Sequence, residues 1–425
     1  MLRQYLDLPR AVHILCLGTF VNRAGSFFLV FLTIYISEKL HLDEQFATLC
    51  MGIFGFGSLC GSLLGGQLAD QFGRRAVMLF SLLCGSLILV SFPFLTNPWT
   101  IGCVIFLYAS TMDMYRPAAS AMISDITKPE QRSAAFGLLY IAINLGFACG
   151  AGIGGTLAKF SYYLLFFGDA ATTFAYGLII AFMIQESLPK RKPAAFTFLT
   201  DKKQTSANES TDAKEAIDAN ANTTHQVSMR QAAAHILRDW PFLAYCLGCL
   251  LGAVVFMQSM STLSLHLKAL DFTPDQYGWV IGLNGILIVL FQVPLTAFLA
   301  RFDRMKTITT GAIILGIGFG LMTFARSWIE FAGCVVIWTL AELMQAPFTQ
   351  AVIADLAPVA MRARYMGVFT MCWSSAMMIG APLGGTVLKY YGGSTLWFSC
   401  FGLSMVSAGI LAFAQSPIRA RKPAI

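Results

Sequence analysis

Residues 66–75 read Gly-Gln-Leu-Ala-Asp-Gln-Phe-Gly-Arg-Arg, a short polar segment between two long apolar stretches. Within it, Gly66 permits close approach of a neighbouring helix, and Gly73 permits a tight turn. Asp70 places a carboxylate at a helix end, where it can cap the positive N-terminus of a neighbouring helix. The segment therefore predicts a charged turn that joins two consecutive membrane-spanning helices.

The rest of the chain has the composition of a multi-pass membrane protein. Of its 425 residues, 56% are hydrophobic and only 12% are charged, whereas a soluble globular protein is about 25% charged. The apolar content suffices for about twelve helices of about 20 residues each. It excludes a soluble enzyme, a nucleic-acid-binding protein and a disordered chain, and we expect neither a cofactor nor a metal. The 11 cysteines lie in apolar runs and are expected to pack as small hydrophobic residues.

Twelve apolar stretches, which we number as spans 1 to 12, are separated mostly by short polar connections, so consecutive spans must run antiparallel. They cover residues 11–36, 45–68, 76–95, 99–124, 133–158, 162–184, 241–267, 276–299, 307–325, 328–354, 363–388 and 392–415. The polar segment 187–239 predicts a cytoplasmic linker between two six-helix domains, 1–186 and 240–425. A short amphipathic helix is expected near 228–238.

The distribution of basic residues predicts the orientation of the chain. If the N-terminus is cytoplasmic, the cytoplasmic segments carry 22 of the 29 Lys and Arg residues and the outer loops carry five. Cytoplasmic loops of membrane proteins are enriched in Lys and Arg. Both termini and the linker are therefore expected to face the cytoplasm, and the net charge of +7 needs no anionic partner to explain it.

An internal repeat relates the two halves of the chain. A shift of 230 residues superposes Asp125 on Asp355 and aligns GAGIGGTLAKF (150–160) with GAPLGGTVLKY (380–390). Two repeats in the same orientation are related by an axis along the membrane normal and leave a central cavity between them. The predicted fold class is therefore an all-α membrane protein with twelve transmembrane helices in two parallel six-helix repeats.

Residues 66–75 resemble the signature G-x-L-A-D-R-x-G-R-R of the major facilitator superfamily, and TAFLARFDRMK (296–306) is a weaker copy in the second half. The resemblance implies the major facilitator fold and rocking of the two halves about a central site. It also implies that Asp70 meets the start of span 11, near Arg362, and that Arg74 pairs with Asp125 when the cytoplasmic side closes. The expected gating residues are Gly66, Asp70, Gly73, Arg74, Arg75 and Asp125.

Span 5 carries a second similarity to this family. GFACGAGIGG (146–155) is similar to G-x-x-x-G-P-x-x-G-G, a pattern associated with the antiporters of the superfamily, except that Ala151 stands at the proline position. Small residues at this spacing let helices touch backbone to backbone, and we expect spans 5 and 8 to pack in this way. The expected packing residues are Gly146, Gly150, Gly154, Gly155, Gly380 and Gly384.

Ionisable side chains inside spans cost roughly 2.5–3.5 kcal/mol each and therefore need a function. Asp113 and Arg116 share a face of span 4 and are expected to form a structural or gating pair. Glu342 of span 10 has no cation within one turn and is the better candidate proton carrier, because burial favours the neutral form of a carboxyl group. Asp169 lies at a shallower depth, where outer water could reach it, and is a third candidate.

Arg23 and Arg116 are expected to attract an anionic or zwitterionic part of a substrate. Further candidate substrate contacts are Asn22, Gln258, Asn284, Gln345 and Trp373, although polar residues in spans equally often join helices to each other. Proton-coupled peptide transporters of this superfamily carry glutamates where this chain has Thr19 and Asn22. That difference weakens a peptide-symport interpretation.

These residues predict a monomeric secondary active transporter in a cell membrane, which would be the inner membrane of a bacterium. The resemblance favours export of small amphipathic molecules in exchange for protons. The chain has no G-x-x-x-x-G-K-[ST] phosphate loop, which excludes a drive by ATP. Two alternatives stay open: a proton-coupled importer or facilitator of a metabolite, peptide or siderophore, and a membrane receptor or scaffold that does not transport.

Overall fold

The computed structural model of the protein describes residues 7–128, 131–187, 229–358 and 361–420, and most of the predicted linker (188–228) lies outside the described residues. The described chain forms the expected series of long helices. In the first half, span 1 comprises Arg10–Ala24 and Phe28–Ile34, continued by a π-helix at Tyr35–Lys39, span 4 comprises Pro98–Asp113 and Tyr115–Ile126, and spans 2, 3, 5 and 6 are Glu44–Phe72, Arg74–Ser91, Arg132–Phe160 and Tyr162–Met183. A short helix, Met229–Arg238, precedes span 7. In the second half, span 7 comprises Trp240–Met257 and Thr262–Ala269, spans 8, 9 and 10 are Pro274–Leu299, Arg304–Leu321 and Trp328–Leu356, and Arg362–Ala420 contains spans 11 and 12.

The helices confirm the predicted fold class. In the described ranges, nine helices are long and apolar enough to cross a membrane, and one of them, Arg364–Ile418, contains both span 11 and span 12. Gly392 divides those two spans, with a φ of 80° that only glycine adopts readily. The predicted short helix before span 7 is present at Met229–Arg238. The domain boundaries at 186 and 240 stay a prediction.

Polar side chains at the span ends explain where several helices begin. Asp43, Asn97 and Ser161 each accept a hydrogen bond from the backbone N–H two residues further on. Ser327 and Glu330 form a reciprocal capping box at the start of span 10. Such caps satisfy backbone N–H groups that have no partner inside the helix. The boundaries are therefore set by local sequence as well as by hydrophobicity.

Spans 1 and 7, which the repeat relates, are both broken, and under the repeat shift the two breaks lie next to each other. Span 1 loses its helical hydrogen bonding between Ala24 and Phe28, and span 7 does so between Met257 and Thr262. Span 4 is bent at Met114 because Pro117, which follows in the next turn, has no N–H to donate to the preceding turn. Breaks at matching points of two repeats often mark the substrate region of a transporter.

Hydrophobic cores show where the halves join. We call the membrane face at which span 1 begins and span 12 ends the termini face, and the other the opposite face. One core near the termini face lies within the first half and includes Leu15 and Met78. A second, which includes Phe242 and Met344, lies within the second half. The core shared by both halves includes Phe31 and lies at the opposite face.

The close contacts described between the halves run from the opposite face to about the middle of the membrane. Span 2 packs on span 11 as far as Ser58, whose hydroxyl lies 3.5 Å from that of Ser374. Span 5 packs on span 8 as far as Gly285, where an added Cβ would lie 2.9 Å from the carbonyl oxygen of Asn144. The bundle is therefore closed at the opposite face.

Candidate functional site: a cavity in the second half

A cavity of about 340 Å³ lies mainly among spans 7, 9, 10, 11 and 12, and Tyr140 of span 5 lines it from the first half. Glu342, Gln345 and Trp373, three of the residues singled out from the sequence, share this cavity. Its wall is otherwise mostly apolar and aromatic, with Phe256 among the rings. Small-molecule sites have this form, in which a few polar groups are placed in an apolar wall.

Glu342 is held by a hydrogen bond from span 8. The Nδ2 of Asn284 donates to Glu342 Oε2 at 2.9 Å and lies 3.1 Å from Thr339 Oγ1. Asn284 is itself buried and is not among the cavity-lining residues, so a substrate contact by Asn284 stays a prediction. It positions the carboxylate of Glu342. This carboxylate is the acidic group that lines the cavity.

Gln258 also has a structural function where a substrate contact was predicted. It is 2% exposed and lies at the break of span 7. Its Nε2 donates to the carbonyl oxygens of Val254 and Gly380, both at 2.9 Å, and its Oε1 accepts from Thr262. All these partners are within the second half. Gln258 therefore satisfies backbone groups that the break leaves without helical partners.

Asn22 is buried in a polar cluster of the first half, away from the cavity. Its Nδ2 donates to Thr173 Oγ1 at 2.8 Å. One turn earlier, Thr19 Oγ1 lies 3.1 Å from the hydroxyl of Tyr176 and 3.3 Å from that of Tyr115. The predicted substrate contact of Asn22 is replaced by a bond between spans 1 and 6. A sequence pattern alone could not reveal these cross-helix pairs.

Asp113 and Arg116 form the pair predicted from their spacing, with 3.6 Å between Asp113 Oδ1 and Arg116 Nε. The Asp113 side chain is mostly covered, whereas that of Arg116 is 64% exposed. Arg23 is close enough to feel both charges, and its Nε is buried without a hydrogen-bond partner among the described residues. The first half thus brings two arginines and one carboxylate into a single charged cluster.

Asp169 is more deeply buried in the protein than the sequence indicated. The expectation of a shallow carboxylate in contact with outer water is wrong, since its side chain is 1% exposed. Its Oδ2 accepts from the backbone N–H of Phe28 at 3.1 Å, and its Oδ1 accepts from Thr173 Oγ1 at 3.3 Å. Counting residues along span 6 missed this because the break in span 1 folds the chain over the carboxylate.

The charged turn at 66–75 has the geometry expected at Gly73 and Arg74. Gly73 has a φ of 104°, in the region that favours glycine. The guanidinium of Arg74 lies 2.6 Å from Asp70 and 3.5 Å from Asp125, so the Arg74–Asp125 contact is present in this conformation and its role in gating stays a prediction. The second half repeats it, because Arg304 lies 2.8 Å from Asp355.

One expectation for this turn needs correction. An added Cβ on Gly66 would meet only Pro117, at 3.9 Å, so Gly66 is not a point of close helix approach. Gly61 and Gly65 of the same helix make that approach instead, to the backbone of Ser110 and Met114.

The N-terminus of span 3 is capped by a residue that the sequence did not single out. Glu186 accepts from the backbone N–H groups of Arg74 and Arg75, at 2.9 and 3.0 Å. Arg75 in turn donates to the carbonyl oxygen of Ala181 at 2.6 Å. Asp70 itself is 72% exposed, and the side chain of Arg362 lies outside the described residues, so its contact with span 11 stays a prediction.

The glycines of span 5 divide between two neighbouring helices, whereas one neighbour was predicted. Added Cβ atoms on Gly146, Gly150 and Gly154 would meet span 1, and one on Gly155 would meet the start of span 8 at 2.7 Å. The predicted contact of spans 5 and 8 exists, but the glycine stripe itself faces span 1. The repeat copies behave alike: Gly380 and Gly384 face span 7.

A helical bundle of two repeats around a partly charged cavity is the architecture of a membrane carrier. The chain matches the family model described as Major Facilitator Superfamily over residues 15–270 and 259–424. It therefore belongs to the Major Facilitator Superfamily, whose members are transporters and not enzymes. This confirms the family and the fold that the sequence predicted.

Known relatives are similar to this chain over most of its length. The "Na(+), Li(+), K(+)/H(+) antiporter" of Planococcus maritimus is 26% identical and covers 96% of this chain and 94% of its own. "Multidrug resistance protein MdtH" of Photorhabdus laumondii is 20% identical, with coverages of 87% and 83%. The crystal structure of the peptide transporter POT in complex with sulfate has a TM-score of 0.76 at 17% identity, with coverages of 98% and 96%. That last likeness supports the fold alone.

Proposed function

We propose that this transporter exports small amphipathic molecules in exchange for protons and that Glu342 carries the proton. The observation that supports this most directly is the position of Glu342 on the wall of the cavity of about 340 Å³, which lies within the second half and is bordered by Tyr140 of the first. A carboxylate there can exchange a proton with water in the cavity, and the apolar wall favours its neutral form. The multidrug relative is consistent with an apolar, aromatic substrate pocket.

The proposal places the termini face on the cytoplasmic side, as the distribution of Lys and Arg predicts. The conformation is then inward-open, because the halves are joined at the opposite face. In this state Glu342 would release its proton to the cytoplasm, and the cavity would then bind substrate from the cytoplasm. Rocking of the halves would expose the cavity to the outside, where protonation of Glu342 would favour release.

A Glu342→Gln variant tests this assignment. The purified protein in proteoliposomes with an imposed proton gradient should lose proton-driven flux, while thermal stabilisation by the same substrate persists, because glutamine keeps the shape and a hydrogen bond to Asn284. Drugs, sugars, peptides and siderophores form the substrate panel. Glu330→Gln, at the other end of span 10, is the matched control and should transport normally. A pH-dependent flux that is unchanged in Glu342→Gln would contradict the proposal.

Exchange of an alkali cation for protons is the second candidate function. The relative at 26% identity is such an antiporter by name, and Glu342 and Thr339 place a carboxylate and a hydroxyl oxygen around the same Nδ2 of Asn284. Oxygen groups of this kind suit hard cations. Proteoliposomes with a pH-sensitive dye inside decide between the two: alkalinisation or acidification upon addition of Na⁺, Li⁺ or K⁺ alone supports cation exchange, and a response only to organic substrates supports drug export.

A further inference from the structure

Asp169 forms a link between the two segments of the broken span 1. Gly25 and Ser26 donate their backbone N–H groups to carbonyls of the preceding turn, but the N–H of Phe28 donates to the carboxylate of Asp169. The same carboxylate accepts from Thr173, which also accepts from Asn22. Span 6 thus supplies the acceptor that the break removed from span 1.

The segment that Asp169 holds carries contacts that close the opposite face. This far segment, residues 28–39, places Thr33 Oγ1 2.7 Å from Ser264 Oγ of span 7. Its Ser37 hydroxyl accepts from Lys268 Nζ at 3.1 Å, and the ring of Phe31 packs edge-on against Tyr277 of span 8. A change in the position of the far segment therefore changes the seal between the halves.

We propose that Asp169 is a second proton-binding residue, which holds the far segment of span 1 in the closed position when ionised and releases it when protonated. A carboxylate accepts hydrogen bonds at both oxygens, whereas protonation turns one oxygen into a donor. That oxygen then no longer accepts well from Phe28 or Thr173, and the cap is weakened. The inference deepens the proposed proton coupling, since it connects a second proton to opening of the opposite face.

The surroundings of Asp169 agree with a single titrating group. The charged or titratable side chains that face it are Arg23 of span 1 and Tyr108 of span 4. Arg23 is a permanent cation, and Tyr108 is neutral at the pH values concerned. In the second half, the corresponding break is held by the amide of Gln258, which does not titrate. Only the break in span 1 is therefore expected to respond to pH.

Hydrogen–deuterium exchange of the purified, substrate-free transporter tests the proposal. After correction for intrinsic rates, residues 28–39 and 262–269 of the wild type should exchange about tenfold faster near pH 5.5 than near pH 8, as expected for loss of a hydrogen bond to a charged group. Asp169→Asn should show the fast rate at both pH values. Asp169→Glu should restore the difference in exchange rate between the two pH values, which we call the pH step. A merely structural role of Asp169 would not predict this result.

The control variant is Asp113→Asn, which removes the carboxylate of the charged cluster formed with Arg23 and Arg116. This variant should keep the pH step. If Asp169→Asn fails to fold, Thr173→Ala retains the carboxylate, removes one hydrogen bond and should move the step to higher pH. A wild type without a pH step, or a step that persists in Asp169→Asn, overturns the inference. The experiment contains neither substrate nor gradient, so failure of the Glu342 transport test would be seen separately.

Discussion

At the scale of single residues, hydrogen bonding inside the bundle separates the polar side chains into distinct roles. Glu342 and Gln345 line the cavity, whereas the side chains of Asn22, Gln258 and Asn284 form hydrogen bonds to neighbouring helices. All five are polar residues in apolar spans, and the sequence gives no sign of which partners they meet. The residue type therefore indicates the free-energy cost of placing a side chain inside the membrane. Whether that side chain lines the cavity or joins two helices depends on the residues around it.

Glycine at position 155 permits a close approach of spans 5 and 8. A Cβ added there would lie 2.7 Å from Asp275 Cα and 2.9 Å from the Pro274 carbonyl oxygen, both of which are backbone atoms that cannot rotate away. We expect Gly155→Ala to hinder closure of the opposite face and to reduce transport severalfold without unfolding the protein. Flux in proteoliposomes and thermal unfolding measure the two effects.

The control for this prediction is Gly333→Ala in span 10, where an added Cβ meets nothing within 4 Å. Alanine is the better helix former by about 1 kcal/mol, so this variant should be as stable as the wild type or more so. Equal transport by Gly155→Ala and Gly333→Ala would show that the close contact of spans 5 and 8 does not limit the cycle.

At the scale of helices, two ion pairs close the opposite face in a symmetric way. Lys159 of span 5 lies 2.7 Å from Asp275 at the start of span 8, and Lys389 of span 11 pairs with Asp43 at the start of span 2. The two lysines are separated by 230 residues, which is the repeat offset. Each pair joins one half to the other, so both must break before the opposite face opens.

The Lys159–Asp275 pair should bias the conformational equilibrium by a small amount. Partly exposed pairs contribute about 0.2–1 kcal/mol, which corresponds to a change of up to about fivefold in the closed-to-open ratio. We expect Lys159→Gln and Asp275→Asn each to raise the population that is open at the opposite face, and the double variant to add little to either. Single-molecule fluorescence between labels at the opposite face measures the ratio.

The matched control for these single and double variants breaks an ion pair inside one half. Arg304→Gln removes the bond to Asp355 near the termini face, at a distance from the seal. It should leave the closed-to-open ratio at the opposite face unchanged. Additive effects of Lys159→Gln and Asp275→Asn would mean that the two charges act independently and not as a pair.

At the scale of the whole molecule, the pseudo-twofold repeat makes alternation between two states possible. The halves have separate cores near the termini face, whereas two further hydrophobic clusters contain residues of both halves. Moving from one state to the other therefore requires the shared contacts to separate while each half keeps its own core. The broken spans 1 and 7 lie on both sides of this shared seam and connect it with the middle of the membrane.

The pH dependence of this equilibrium should not come from the surface pair at Asp43. The hydrogen bond from Lys389 lowers the pKa of Asp43 below its ordinary value of 3.8. A carboxylate with a depressed pKa contributes its full stabilisation above the ordinary value and loses it only as pH falls through the lowered one. Between about pH 5 and pH 8, Asp43→Asn should shift the closed-to-open ratio by the same factor at every pH. A change in the shape of that pH profile would refute the assignment.

The sequence alone determined the number and length of the spans, the repeat, the family and the pair of Arg74 with Asp125. These depend on hydrophobicity, on spacing along one helix or on a motif, all of which are local properties of the chain. The tertiary structure alone decided which face is closed, which polar residues reach the cavity and that Asp169 caps the broken span 1. Those facts depend on contacts between residues far apart in the sequence, 58 positions for Asn284 with Glu342 and 141 for Phe28 with Asp169, and no local pattern records such a contact.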